Sequence, residues 1–580
     1  MAIRPTRVLA PLALAAALAG CGAGTAVEPA DLVLTNGKIV TVDPERPTAE
    51  AVAIAGEKII AVGSAREIRA YIGPDTEVLD LGGQLAIPGF IEGHGHFMGL
   101  GRARLILDLT TARSWAEIVE QVAEAAKAAQ PDEWILGRGW HQEKWDDTPE
   151  PTVDGVPLHH SLSAVSPDNP VYLTHASGHA SFANARALQL AGIHARTPDP
   201  AGGTIVRDAS GQPTGLLRER AQRLVAAVIE RDEQRLSPEE RAARARRMVE
   251  LAGQELLSKG VTSFHDAGTG FETVDLYRQL AAEGKLPVRL YVMVNGSNDE
   301  LARKLAEYRT IGEGDGFLTV RSIKRQIDGA LGAHGAWLLE PYADLPSTPG
   351  LNLISIEELE RTAELALQHG YQLGTHAIGD RANREVLDLY ERSFAQVADP
   401  AELRWRIEHA QHIDPVDVPR FGRLGVIAAV QGVHATSDGP WIPRRLGEER
   451  ARRTSYPWRD LIEAGTVIGN GTDAPVEDVD PIASFYATVS RRTEDGTVFI
   501  PEQRMTRQEA LESYTINNAF AAFEEDVKGS ITPGKLADIV VLSKDIMTIP
   551  EEEIPTAKVV YTILDGRVVY RADTASVAIR

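Results

Sequence analysis

Pro88-Gly89-Phe90-Ile91-Glu92-Gly93-His94-Gly95-His96 follows directly on a short apolar run, Leu85-Ala86-Ile87. If the stretch is a strand or the end of one, the two-residue side-chain period sends His94 and His96 to the same face. Two neutral imidazoles converging from one strand make half of a metal site. A His-x-His also arises by chance on loops, so the pair takes its meaning from what ends the other strands downstream.

Downstream the chain alternates helix and strand. Ser237-Pro238-Glu239-Glu240 offers an N-cap, a proline at the first helical position and a glutamate at the third. Met248, Leu251, Ala252 and Leu256 then fall near one helical face, Gly260 supplies the stop, and Val261 to Asp266 reads as a strand. The grammar recurs. A helix from Ser355 to Gly370 precedes Tyr371 to His376, Asp414 to Gly425 precedes Val426 to Gln431, and Pro457 to Gly465 precedes Thr466 to Asp473. Repeated helix-to-strand units predict an α/β fold with a parallel sheet, here closed into a (β/α)8 TIM barrel. Its strands are expected near 90–96, 261–266, 287–294, 318–324, 371–376, 404–411, 426–431 and 466–473. The barrel would occupy 88–519. Residues 97–236 are too many for one crossover and are expected to form an inserted subdomain after the first strand.

Both ends read differently. Asp31 to Val40 looks like strand, Asn36-Gly37 turn and strand. Ala51 to Val62 repeats the pattern around Ala55-Gly56-Glu57-Lys58, and Val78 to Ile87 adds a further strand. Ala537 to Leu542 and Val559 to Tyr570, the latter turning at Asp565-Gly566, are equally β-rich. A composite β-sandwich built from 31–87 and 520–575 is the expected result. Residues 1–21 read as an export signal: Arg4 and Arg7, an apolar Val8 to Leu18 too short to span a bilayer, then Leu18-Ala19-Gly20-Cys21. That tetrapeptide resembles a bacterial lipobox. Cys21, the chain's one cysteine, would be lipidated after cleavage, and 22–30 would tether the protein to a membrane facing the periplasm or exterior. Among the 580 residues 43% are hydrophobic, enough for a large core, and the net charge of −22 argues against a nucleic-acid surface, which needs a basic footprint. No nucleic-acid partner is expected. A homo-oligomer is left open.

The polar residues collect at the C-terminal ends of the predicted barrel strands, where barrel chemistry belongs. His94 and His96 end the first, Lys324 the fourth, His376 the fifth, His409 the sixth and Asp473 the eighth. One such histidine would more often be a packing residue. Four histidines, a lysine and an aspartate at successive mouths point to a metal site.

At these residues the chain resembles the amidohydrolase superfamily, in the branch typified by N-substituted formamide deformylases. The resemblance runs from about Asp31 to Tyr570. Its most specific pieces are Pro88 to His96, His376 to Asn383, Arg406 to Gln411 and Gly471 to Glu477. It implies two divalent cations, with zinc the expected pair: His94, His96 and Asp473 would hold one, and His376 and His409 the other. Lys324 would bridge them after carboxylation, since an ammonium is repelled by two cations whereas a carbamate is an anionic ligand. Water activated at the ions would be the nucleophile, Asp473 the base and then the acid. His434, just past the seventh strand, or the second ion would polarise the scissile carbonyl.

The insertion carries substrate-facing candidates. His175 and His179 are the substrate-binding candidates, whereas Trp140 and Trp145 read as the insertion's own core. His265 and Asp266 are placed to support the ligands from behind, and His159 and His160 read as loop residues. The leading function is hydrolysis of a non-peptide C–N bond, an amide or formamide, in a small-molecule substrate. Deamination and dipeptidase-like hydrolysis are alternatives on the same scaffold, and a non-catalytic binding lipoprotein is the alternative outside enzymes. Metal content separates the enzymes from the last.

Overall fold

Eight parallel strands follow one another in chain order: β1 Phe90–Gly95, β2 Val261–Thr269, β3 Arg289–Val294, β4 Leu318–Gln326, β5 Gln372–Ala377, β6 Arg406–His409, β7 Ile427–Gln431 and β8 Ile468–Gly471. Neighbours pair in parallel register from β1 through to β8. Past the end of β8, Asp473 N donates to His94 O at 2.8 Å and His96 N donates to Ala474 O at 2.7 Å. These two bonds draw the last strand's exit against the first. Each of the eight segments expected to be a strand overlaps one of these. β1, β3 and β5 are buried along their whole length, as parallel strands covered on both faces must be.

The computed structural model describes residues 28–142, 145–147, 150–153, 155–175, 180–200, 203–332 and 334–573. The export segment, Cys21 and His179 lie outside the described residues, as does the tether up to Val27. Ala30 is not part of a tether: it is buried, and its N–H donates to Tyr71 O at 2.8 Å. Among the described residues no helix is long and apolar enough to cross a membrane.

The local signals explain the crossovers. Ser237, Ser297 and Ser355 each accept from the amide three residues on, opening the helices Pro238–Ser258, Asn298–Tyr308 and Ile356–His369. The last of these stops at Gly370, which takes a left-handed φ of +68°.

Two sheets flank the barrel. One orders Lys58–Gly63, Ala51–Ala55, Leu32–Thr35 and Glu77–Asp80; the other orders Arg567–Arg571, Val559–Leu564, Ile539–Leu542, Leu85–Pro88, Lys38–Val40 and Thr48–Ala49. Their facing side chains, Leu34, Val52 and Ile54 from the first and Ile39, Ala86, Ile539 and Val541 from the second, share one apolar cluster. Two expectations change here. Asn36-Gly37 does not close a hairpin, because Leu32–Thr35 pairs with Glu77–Asp80 while Lys38–Val40 pairs with Leu85–Pro88. The turn carries the chain from one sheet to the other. Likewise 78–87 is two strands, broken at Gly82 and Gly83, whose positive φ values let the chain cross again.

Between β1 and β2 lies a six-stranded sheet ordered Gly203–Arg207, Pro213–Glu219, Ala180–Ala183, Val171–His175, Ile135–Trp140 and Leu107–Asp108. Helix Trp115–Ala128 packs on one face through Trp115, Ile118 and Val122, and helix Arg223–Gln234 covers the other through Val225 and Ile229. Trp140 is fully buried and Trp145 packs against the same cluster, as expected of core residues. His159 and His160 open the helix His160–Val165 instead of standing in a loop, and His159 Nδ1 lies 2.9 Å from Ser163 Oγ. Arg138 reaches down from this sheet, donating to Pro475 O at 3.3 Å.

Candidate metal centre

The strand ends bring most of the singled-out residues into one cup. His94 ends β1, and His96, still in extended backbone, caps the helix Phe97–Ala103. His94 Nε2 and His96 Nε2 lie 3.6 and 3.1 Å from Asp473 Oδ1. His94, His96 and Asp473 offer ligand atoms all within 4.8 Å of one another. Lys324 Nζ stands 3.2 Å from His94 Nε2. The His409 ring is 4.7 Å from that of His94 and 4.4 Å from that of His376, centre to centre. His434 stacks nearly parallel to His409 at 6.4 Å. The cup thus runs from β1 through β4, β5 and β6 to the exits of β7 and β8.

The tautomers are set from behind. Glu408 Oε2 accepts from His94 Nδ1 at 2.5 Å, so the lone pair of His94 sits on Nε2, facing the cup. Gln431 Oε1 does the same for His409 Nδ1 at 2.7 Å. His434 is wired oppositely: Gln411 Nε2 donates to its Nδ1 at 3.2 Å, which places its proton on Nε2. Within the cup, Asp473 Oδ1, His376 Nε2 and His434 Nε2 are buried without a hydrogen bond, His376 Nε2 lying 3.4 Å from Asp328 Oδ1. Imidazole nitrogens and a carboxylate oxygen gathered within a few ångströms of one another are the donor set a divalent cation takes. The residues present fit the implied metals.

The electrostatics agree. Burial, then the charge of Lys324, brings the His94 pKa down to about 4 against the opposing pull of Glu408, so the ring is neutral at pH 7. Burial and the rings of His376 and His94 hold His409 well below its ordinary value. Burial would raise the Asp473 carboxyl, but His96, His409, His94 and His434 outweigh it and hold it well below the usual carboxylate range. Burial also lowers Lys324, against Glu408 and Asp473. Both His409 and Asp473 sit at positive φ, 74° and 60°. Strain at non-glycine residues persists where surrounding structure over-determines it, as at functional sites.

Residues behind the cup do the positioning, and of these only His265 and Asp266 have a role assigned from the sequence. Arg406 donates to both oxygens of Glu408 at 2.7 and 2.8 Å, to Gly93 O at 2.8 Å, and lies 2.9 Å from His265 Nδ1. His265 therefore meets Arg406 and not a ligand ring. Asp266 takes the N–H of Phe97 at 2.9 Å and the hydroxyls of Thr269 and Tyr277 at 2.6 and 2.9 Å, fixing the turn that carries His96. Asp328 accepts from Trp337, Ile378 and Gly379 amides at 2.9, 3.0 and 2.8 Å, and Asn383 Nδ2 bridges Gly379 O and His412 O at 2.9 and 3.2 Å. The run His376 to Asn383 is thus one ligand candidate and a clamp on its own loop. An Arg-x-Glu pair in a strand was the available signal for Arg406 and Glu408: two opposite charges on one face of a buried strand have to satisfy each other.

His175 ends a strand of the inserted sheet, where its Nε2 lies 3.1 Å from Gln142 Oε1 and its ring 4.6 Å from that of Trp140. A cavity of about 370 Å³ lies between insertion and barrel, lined by Gly99, Arg138, Tyr172, Thr174, Ile229 and Pro475 among others. A methyl on Gly99 would stand 3.3 Å from both His96 Cβ and Pro475 Cδ, so this space adjoins the cup.

A TIM barrel whose strand ends gather imidazoles and a carboxylate, with the tautomers of His94 and His409 set from behind, has the architecture of a metal-dependent hydrolase. The chain belongs to the amidohydrolase family, whose model matches residues 77–570. It is 34% identical to protein LONG AFTER FAR-RED 3 of Arabidopsis thaliana, over 93% of this chain and 92% of that protein. It is 31% identical to N-substituted formamide deformylase of Arthrobacter pascens, over 92% of this chain and 97% of that one. Among solved structures, an uncharacterized metal-dependent hydrolase from Pyrococcus furiosus superposes with a TM-score of 0.70 at 28% identity, over 89% of this chain and all of that one (100%).

Proposed function

We propose that this protein hydrolyses a non-peptide C–N bond, in an amide or formamide, at two divalent ions. His94, His96 and Asp473 would hold one ion and His376 and His409 the other. When bound, such ions supply Lewis acidity and water of lowered pKa. The observation that carries the reading is the opposed wiring of the rings: His94 and His409 face the cup as acceptors, whereas His434 faces it as a donor. Asp473 takes the proton of the attacking water and passes it to the leaving nitrogen. His434 Nε2–H donates to the carbonyl oxygen as negative charge develops there. Lys324 is the bridging candidate. Burial lowers its pKa, and in its neutral form the amine would add to carbon dioxide: an N–C bond forms, a proton leaves to solvent, and an anionic carbamate results. The name of the Arthrobacter pascens relative supports a formamide as substrate.

Metal analysis with a panel of N-formyl and N-acyl amines tests this. The expected result is about two ions per chain and turnover of at least one panel member. Turnover confined to an aminopyrimidine or a dipeptide would move the assignment to deamination or peptide hydrolysis. Absence of bound metal at saturation would remove it.

We also propose, from Leu18-Ala19-Gly20-Cys21, anchoring at a membrane surface through lipid on Cys21. Release of Cys21→Ser protein into the soluble fraction of its host is the expected outcome, and unchanged membrane association would refute it.

A further inference from the structure

The cavity between insertion and barrel has a polar end that the mechanism above does not use. In the inserted sheet, the strands Ile135–Trp140 and Val171–His175 run parallel, with Leu136 opposite Tyr172 and Arg138 opposite Thr174. Alternation along a strand sends these four side chains to one face. Ile135, Val171 and Leu173 are buried on the other face, whereas the four are half-buried and line the cavity of about 370 Å³. The face is graded along the strands. Leu136 and Tyr172 pack against the apolar cluster of helix Arg223–Gln234, whose Ala226 and Ile229 also line the cavity. One pair further on, Arg138 meets the barrel: its Nη1 donates to the carbonyl oxygen of Pro475, itself a lining residue, at 3.3 Å. Among the described residues Arg138 makes that one hydrogen bond and no ion pair, and the Thr174 hydroxyl makes no hydrogen bond. The other charges of the lining do not answer Arg138. Arg102 is engaged by Glu233 at 3.4 Å, and Glu230, exposed, makes no ion pair.

A guanidinium carries five N–H donors in a fixed fork. With one of them used and no anion beside it, half-buried in a cavity of ligand size, it is one half of a recognition pair. The fork matches the two oxygens of a carboxylate, and a neighbouring hydroxyl adds a further donor. We propose that this cavity binds a small organic acid, its carboxylate on Arg138 and Thr174 and its apolar body along Leu136, Tyr172 and Ile229. The site does not depend on which bond the cup cleaves. Arg138 can take a carboxylate and keep Pro475 O, so the ligand is joined through one side chain to the loop that carries Asp473, two residues before Pro475. The competing role is structural: Arg138 as a strut between insertion and barrel and nothing more. Thr174→Val separates the two, because it removes the cavity's hydroxyl and leaves the bond from Arg138 to Pro475 in place.

Titration calorimetry of the full chain, with and without saturating zinc, compares 4-phenylbutyrate with its neutral analogue 4-phenylbutanamide. Wild type is expected to bind the acid about tenfold or more tightly than the amide in both metal states, as a charge-assisted hydrogen bond provides. Arg138→Met should erase that preference, and Thr174→Val should weaken the acid about fivefold. Ala226→Phe, which fills the cavity from the helix side, should weaken acid and amide alike; the last two variants keep the test open if Arg138→Met does not fold. Equal binding of the two probes by wild type, a preference that survives Arg138→Met, or wild-type affinity for the acid in folded Thr174→Val overturns the proposal. Acid binding that disappears with the metal would put the carboxylate in the cup and overturn it as well. In the turnover assay, competitive inhibition by the acid supports the site as holding the substrate's own carboxylate, and a lowered kcat at unchanged KM supports it as holding a separate ligand. Arg138-dependent binding with no hydrolysis of any N-formyl or N-acyl amine would sink the amide reading and leave this site standing; hydrolysis with equal binding of acid and amide would do the reverse.

Discussion

Glu408→Gln tests the wiring behind the cup with almost no change of shape. Glu408 is fully buried and accepts three hydrogen bonds, two from Arg406 and one from His94. A glutamine has one acceptor atom and one donor group where the carboxylate has two acceptors. If its oxygen faces His94 Nδ1–H, its NH2 is driven against the Arg406 guanidinium. If its NH2 faces His94, the ring must move its proton to Nε2, and the lone pair turned toward the cup is lost. Neither orientation satisfies both neighbours. Arg406 also keeps a buried positive charge with no carboxylate, and breaking a buried pair in this way costs about 3–5 kcal/mol. Losing the outer partner of a ligand histidine lowers metal affinity about 10–100-fold. Both effects are read separately, the first by chemical denaturation of metal-free protein, the second by chelator competition under conditions where circular dichroism is unchanged. Adding Arg406→Met removes the unpaired cation and should restore most of the stability while metal affinity stays below wild type, an amide oxygen being a weaker acceptor than a carboxylate. A folded Glu408→Gln protein that binds metal as wild type does would refute the assignment of His94 as a ligand oriented by Glu408.

Four further outcomes follow from the same geometry. Asp473→Asn should abolish turnover and weaken metal binding while leaving the circular dichroism spectrum intact; full activity would remove Asp473 from the mechanism. Lys324→Met should lower the metal content from about two ions to about one per chain at equal free metal, as expected if a lysine carbamate bridges the pair; unchanged content at saturation would argue against a bridge. Burial, then the charge of Arg450, lowers the His412 pKa from 6.5 to about 3. Its neutral ring therefore stabilises the fold above pH 6.5, and that contribution, at most about 5 kcal/mol, is lost as the pH falls from 6.5 toward 3. His412→Gln should flatten the fall in denaturation midpoint over that window, and an unchanged slope would show that His412 does not titrate there. Gly379→Ala places a methyl 2.0 Å from Trp337 O, so it should destabilise by about 3 kcal/mol and shift His376; wild-type stability and metal content together would contradict the clamp on that loop.

What could be read from the chain divides along a physical line. The barrel was legible because each crossover carries its own local signals: a serine cap, an apolar helical face, a glycine stop and an apolar run, all within about thirty residues. The ligand candidates were legible for a related reason, since strand ends at one rim of a parallel barrel converge whatever their spacing in sequence. The sheet crossings at Asn36-Gly37 and Gly82-Gly83 were not, because a turn fixes the direction of the chain and leaves the choice of pairing partner to residues tens of positions away, here Leu32–Thr35 against Glu77–Asp80 and Lys38–Val40 against Leu85–Pro88. The roles of Glu408, Gln431 and Gln411 were hidden for a sharper reason. Each acts on a ring that its own position does not name: Glu408 on His94 at the far end of the barrel sequence, Gln431 on His409, and Gln411 on His434. A histidine in a sequence is a ligand, a donor or a base with equal ease, and what decides among these is which nitrogen its neighbour has already claimed. The identity of the cup as a metal centre therefore lies as much in the three residues behind the rings as in the rings themselves. Substitutions there should change metal affinity without touching a ligand, which separates a true centre from a chance gathering of imidazoles.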